Sequence, residues 1–156
     1  MRELSLFLPD AAATDALGAA LAARLAPGDT LLLDGTLGAG KSSLARAVIR
    51  SRLAAEGRAE DIPSPTFTLV QVYDTEAAAL WHCDLYRLGH ADELIELGLD
   101  EALEEAICLI EWPERLGSLR PARALTISLA DEGEGRRARL TATGPGWDPL
   151  FGALEA

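Results

Sequence analysis

The sequence predicts an α/β fold of three layers, a mostly parallel central sheet with helices on both faces and an antiparallel β-hairpin at the C-terminal end. Three observations carry that expectation. Continuous apolar runs of strand length stand at Thr30–Asp34 and Ile107–Glu111, helix-period segments separate the strands, and a glycine-rich loop joins the first apolar run to a helix. At 156 residues the chain suits one domain over residues 1–156, long enough to bury a core.

Leu4–Leu8 is a short, partly alternating apolar segment and is read as the first strand. From Thr14 to Leu25, Leu17, Ala20, Leu21 and Leu25 recur at helical spacing, with Thr14 as N-cap and Pro27-Gly28 as the stop. Thr30–Asp34 has the pattern of a strand buried on both faces. Ser42–Ala55 is the next helix, Leu44, Ala47, Val48 and Leu53 forming its apolar stripe and Arg46, Arg50 and Arg52 its outer face. The loop 57–65 leads to a strand at Phe67–Tyr73, and a further strand is expected at Leu80–Tyr86. Between Asp92 and Ala106, Gly98 divides two short helices, and Ile107–Glu111 follows as a fully apolar strand ending in an acid. Ala124–Leu129 and Ala138–Thr143 flank the acidic turn 131–135 as a hairpin.

The loop Gly35-Thr36-Leu37-Gly38-Ala39-Gly40-Lys41-Ser42 satisfies the pattern G-x-x-x-x-G-K-[ST], between a buried strand and an amphipathic helix. Glycines let such a chain wrap phosphate oxygens with its N–H groups turned inward, in dihedrals a Cβ opposes. The fold is therefore expected to be P-loop NTPase-like. Leu37, Gly38, Ala39, Gly40, Lys41, Ser42 and Ser43 are the expected phosphate-binding set. Lys41 is to reach the β- and γ-phosphates of ATP, and the Ser42 hydroxyl is to ligate Mg²⁺. Composition singles out the same lysine. Of the 14 basic residues 13 are arginine and only Lys41 is lysine, so this position asks for a compact ammonium where a planar guanidinium does not serve.

Hydrolysis needs an acid near the metal and a group that orients water. Two strands end in acids, Asp84 and Glu111, at the strand ends where open α/β sheets bind ligands. Either fits by pattern. Ser64-Pro65-Thr66-Phe67 offers a hydroxyl pinned by proline, suited to a nucleotide-sensing switch at Thr66. With 25 acidic against 14 basic residues and a formal charge of −11, the surface repels phosphodiester backbones, which argues against tight direct binding of nucleic acid. No basic n-region heads the chain and no apolar run nears the ~20 residues of a membrane helix, so a cytoplasmic protein is expected. Cys83 and Cys108 show no metal-binding spacing and are read as buried apolar residues.

Four segments together, Gly35–Ser42, Ser64–Phe67, His82-Cys83-Asp84-Leu85-Tyr86-Arg87 and Ile110-Glu111-Trp112-Pro113-Glu114-Arg115, resemble the TsaE (YjeE-type) family over roughly residues 3–143. These are bacterial P-loop ATPases required for threonylcarbamoyladenosine on tRNA. The resemblance implies slow ATP hydrolysis coupled to a TsaD-like threonylcarbamoyl transferase and its TsaB-like partner, with tRNA engaged only through those partners. By position it implies Ser42 as the magnesium hydroxyl, where the family more often has Thr, and Thr66 as the switch residue. Asp84 then becomes a second magnesium-linked acid, and Glu111 the acid on or near the attacking water. Trp112 is placed against the nucleotide. Thr36 replaces the acidic or amide residue usual after the first glycine. Lys41, Glu111 and Thr66 are thus the expected catalytic residues, and Ser42, Asp84 and Glu111 the expected metal ligands.

A small-molecule kinase shares the strand, loop and helix, with Arg87 and Arg115 as its candidate lid arginines, though no arginine-rich lid segment stands out. A GTPase is disfavoured, because the chain has no Asn and no second Lys for an Asn-Lys-x-Asp motif.

Overall fold

The computed structural model describes residues 2–36 and 38–155. Seven strands form one sheet: β1 (Arg2–Leu8), β2 (Thr30–Asp34), β3 (Val70–Asp74), β4 (Ala79–Asp84), β5 (Ile107–Glu111), β6 (Ala124–Glu132) and β7 (Gly135–Thr143). Their order across the sheet is β1-β7-β6-β2-β5-β4-β3. The central strands β6, β2, β5 and β4 run parallel, β3 closes one side antiparallel to β4, and β7 and β1 extend the other side antiparallel.

Helices α1 (Ala11–Ala22), α2 (Lys41–Ala54) and α5 (Asp148–Glu155) share one core with one sheet face, while α3 (Asp92–Glu96), α4 (Leu99–Glu105) and a 3₁₀ segment, Pro113–Leu119, share the other. Strand periodicity divides the two cores. Along β5, Ile107 and Leu109 join the first, and Cys108 and Ile110 the second. Full burial of such a side chain stabilises by roughly 1.5–3 kcal/mol, so the unbroken apolar runs of β2 and β5 anchor the centre of the sheet. The first strand and the last helix are tied together. Arg2 donates to Asp148 and Glu155 and lies over the Phe151 ring, so β1 and α5 hold each other at the sheet's far side.

The α/β architecture, the parallel centre and the C-terminal hairpin agree with the expectation, and β2 and β5 have the expected bounds. Several boundaries differ for identifiable reasons. Helix α1 starts one turn earlier than expected, because the side chain of Asp10, not Thr14, accepts from the Ala13 N–H at 2.9 Å; Thr14 is buried inside the helix. Strand β3 begins at Val70 rather than Phe67. Leu69 has φ 68°, in the left-handed region, and its N–H donates to the Pro65 carbonyl, so residues 66–68 form a turn. Strand β4 stops at Asp84, whose carboxylate accepts the Tyr86 N–H at 3.0 Å and turns the chain. The hairpin strands run further than expected, down to the pair Glu132–Gly135, with Gly133 (φ 61°) in the turn. Arg52 does not face outward but donates to the carbonyls of Ala22 and Leu25, which caps the C-terminal end of α1. The sequence reading assigned neither α5 nor the 3₁₀ segment. Asp148-Pro149 was a helix-start signal for α5, since proline is well placed in a first turn.

Candidate functional site

The C-terminal ends of β2, β4 and β5 lie side by side, and the loops leaving them enclose one cleft. It is lined by Gly38, Gly40, Lys41, Ser42, Ser43, Thr66, Asp84, Glu111, Trp112 and Arg136. Sequence reasoning named all of these but Arg136. Ala39 is buried behind the loop, its N–H donating to the Thr36 carbonyl at 3.1 Å. Leu37, also expected to contribute, lies outside the described residues.

The loop takes a shape only glycine tolerates. Gly38 and Gly40 have φ 81° and 100°, and a Cβ at Gly40 would collide with the Arg136 guanidinium. Gly40 is the N-cap of α2 without a capping side chain, and no acidic residue occupies the first turn. The positive end of a fourteen-residue helix therefore faces the cleft with its donors uncapped by carboxylate, an arrangement suited to anions.

Lys41 is 4% exposed. Its ammonium donates to the Gly35 carbonyl at 2.7 Å and lies 3.4 Å from the centroid of the Trp112 ring. Burial pulls its pKa below the usual lysine range, and the charges of Glu111, Glu114, Asp84 and Asp34 oppose that pull. Two of the three ammonium hydrogens are left over from the bond to Gly35. Trp112 itself adopts φ 59° and ψ 54°, a left-handed conformation that costs a bulky residue of order 1–3 kcal/mol and is paid where it aims a ring into a cleft. Tyr86 packs against it with ring centroids 4.9 Å apart.

The Ser42 hydroxyl lies 2.9 Å from both carboxylate oxygens of Glu111, to which it donates. Asp84 is paired in register with Glu111 on the neighbouring strand and accepts from the Thr66 hydroxyl at 3.2 Å. Thr66 in turn is 2.8 Å from the Ser64 hydroxyl. The two acids thus have different partners, Glu111 on the helix hydroxyl and Asp84 on the loop hydroxyl. A hydroxyl and two carboxylates are hard oxygen donors, and magnesium is commonly held by one or two carboxylates together with substrate phosphates, so this donor set fits that ion.

Two residues here were missed. Arg136, at the start of β7, donates to the Gly38 carbonyl at 3.3 Å; nothing local announces it, because only the packing of the hairpin beside β2 brings it to the loop. His82, which the sequence offers only as the first residue of the segment His82–Arg87, is fully buried and lies 2.7 Å from Glu111 Oε2 through Nε2. Arg87 and Arg115, the candidate lid arginines, are engaged elsewhere. Arg87 lies over the Phe67 ring, and Arg115 donates to the Leu88 carbonyl.

A family model described as "Threonylcarbamoyl adenosine biosynthesis protein TsaE" matches residues 8–139. The chain is 36% identical to the tRNA threonylcarbamoyladenosine biosynthesis protein TsaE of Rickettsia felis over 151 residues, covering 97% of this chain and 86% of that protein. It is 33% identical to the protein of the same name from Bacillus subtilis, covering 91% and 87%. It is also similar to the crystal structure of Bacillus subtilis YdiB, with TM-score 0.81, 28% identity, and 99% of this chain and 95% of that one covered.

Proposed function

Because the chain belongs to the TsaE family of threonylcarbamoyl adenosine biosynthesis proteins, we propose that it binds ATP with magnesium in the cleft and hydrolyses it to drive or reset a threonylcarbamoyl transferase. The observation that carries the reading is the Ser42 hydroxyl held on Glu111 directly after the buried Lys41, at the uncapped start of α2. A P-loop serine beside a strand-end acid is what a metal-nucleotide site requires.

Placement supports a role for each residue. The amides of Gly38, Gly40, Lys41, Ser42 and Ser43 bind phosphate oxygens, and the Lys41 ammonium exchanges part of its contact with Trp112 for the terminal phosphates. Ser42, with Asp84 and Glu111, would hold magnesium, which supplies neutralisation of the phosphate charge. Glu111 orients the attacking water. Thr66, on the turn preceding β3, senses the γ-phosphate and shifts between its bond to Asp84 and the nucleotide. Trp112 covers the nucleotide with its ring.

The expected partners are a TsaD-like transferase and a TsaB-like protein in the cytoplasm, with tRNA gripped by them, since a chain of charge −11 is poorly suited to hold a polyanion. No described helix is long and apolar enough to cross a membrane. The deciding experiment measures phosphate release from ATP by the protein alone and with the two partners. Slow turnover that rises at least about tenfold in the mixture fits a switch completed by its partner; no release in either condition rejects the reading. Tryptophan fluorescence gives the binding half of the test. Wild-type signal should change on adding Mg-ATP and Trp112→Phe should abolish the change, Trp81 and Trp147 lying outside the cleft lining.

A further inference from the structure

His82 is an imidazole buried in an otherwise apolar layer, two residues before Asp84 on β4 and on the same sheet face as Glu111 and α2. Its exposure is 0%. Its Nε2 lies 2.7 Å from Glu111 Oε2, and its Nδ1 is buried without a hydrogen-bond partner among the described residues. The carboxylate is therefore the ring's one hydrogen-bond partner among the described residues. A packing residue at this position needs no imidazole, because its strand neighbours Leu80 and Leu109 fill the same core as aliphatics.

The geometry points to His82 as the positioning residue for Glu111. The inference rests on the reading that Glu111 serves the hydrolytic step. A carboxylate acceptor at Nε2 calls for a ring proton on that nitrogen. The Nε2–H then donates to Oε2 and fixes the carboxyl plane, whose two oxygens both lie 2.9 Å from the Ser42 hydroxyl in the cleft. Glu111 ends β5 with its backbone held in the ladder, but a strand end does not fix the last torsions of its side chain. Two donors on separate elements, Ser42 on α2 and His82 on β4, do so.

The test compares His82→Leu, which keeps the volume and loses the donor, with His82→Gln, whose terminal amide can reach the Nε2 position. His82→Leu is expected to lower kcat for ATP hydrolysis by about 10–100-fold while leaving Mg-ADP affinity within about threefold, and His82→Gln to recover most of kcat. Ring ¹⁵N NMR of the intact wild-type protein is expected to show Nε2 protonated, with that proton protected from exchange and its shift displaced in Glu111→Gln. Turnover within twofold of wild type in a folded His82→Leu protein overturns the assignment. So does a His82 signal that ignores Glu111→Gln, and this comparison stands even where His82→Leu fails to fold. If Glu111→Gln hydrolyses ATP at the wild-type rate, the role of Glu111 in the chemistry falls; the NMR comparison then still decides whether His82 orients it.

Discussion

At the scale of the residue, the cleft shows how charge is managed by burial. Lys41 is the single lysine of the chain, buried beneath an aromatic ring and surrounded by carboxylates at a distance. Lys41→Ala is expected to abolish nucleotide binding, and ATP affinity within a factor of two of wild type, measured by isothermal titration, would refute the phosphate-binding role. Glu111→Ala should retain binding while turnover falls by about 10²-fold, the scale of a lost general base or water-orienting group. The two thiols make a separate prediction. Burial pushes Cys108 from the usual 9.0 up to about 12 and raises Cys83 well above the same value. Both thiols should resist alkylation at pH 8 until the protein unfolds. Between about pH 9 and 12 the unfolded chain loses the Cys108 proton while the folded one keeps it, so stability falls as pH rises there, on the order of 1 kcal/mol per pH unit. Urea melts should show that fall, and Cys108→Ala should reduce it.

At the scale of the element, helix propensity and packing disagree, and packing wins. Gly18 sits inside α1, where alanine would ordinarily gain about 1 kcal/mol of helix propensity. A Cβ there would meet the Ala47 Cβ at 2.5 Å and the Ala47 backbone at 3.0 Å, so α1 and α2 approach too closely to admit it. Gly18→Ala is therefore expected to destabilise by a net ~1–2 kcal/mol in chemical denaturation. Asp10→Ala removes the observed α1 cap and should cost about 1 kcal/mol, whereas the pattern of the sequence had pointed to Thr14. That miss has a simple origin. Both residues are good caps, and the choice depends on where α1 must begin to lay Leu17 and Leu21 on the sheet.

At the scale of the whole molecule, binding should be read as stability. The cleft joins β2, β4 and β5 with the hairpin through Arg136, so a ligand held across it links separate parts of the sheet. Mg-ATP at about 100 times its Kd should add roughly 2.7 kcal/mol, a rise of about 5–10 °C in Tm for a chain of this size, absent in Lys41→Ala. Much of this organisation was legible beforehand. The P-loop, the two apolar strands and the paired acids are local patterns, since a phosphate cradle needs contiguous glycines and amides and a doubly buried strand needs contiguous apolar residues. Which acid stands at Ser42, that His82 lies beneath Glu111, and that Arg136 crosses to the loop were decided only by the tertiary structure. Each is a contact between groups 29 to 98 residues apart, fixed by strand order and register, which no local run of sequence encodes.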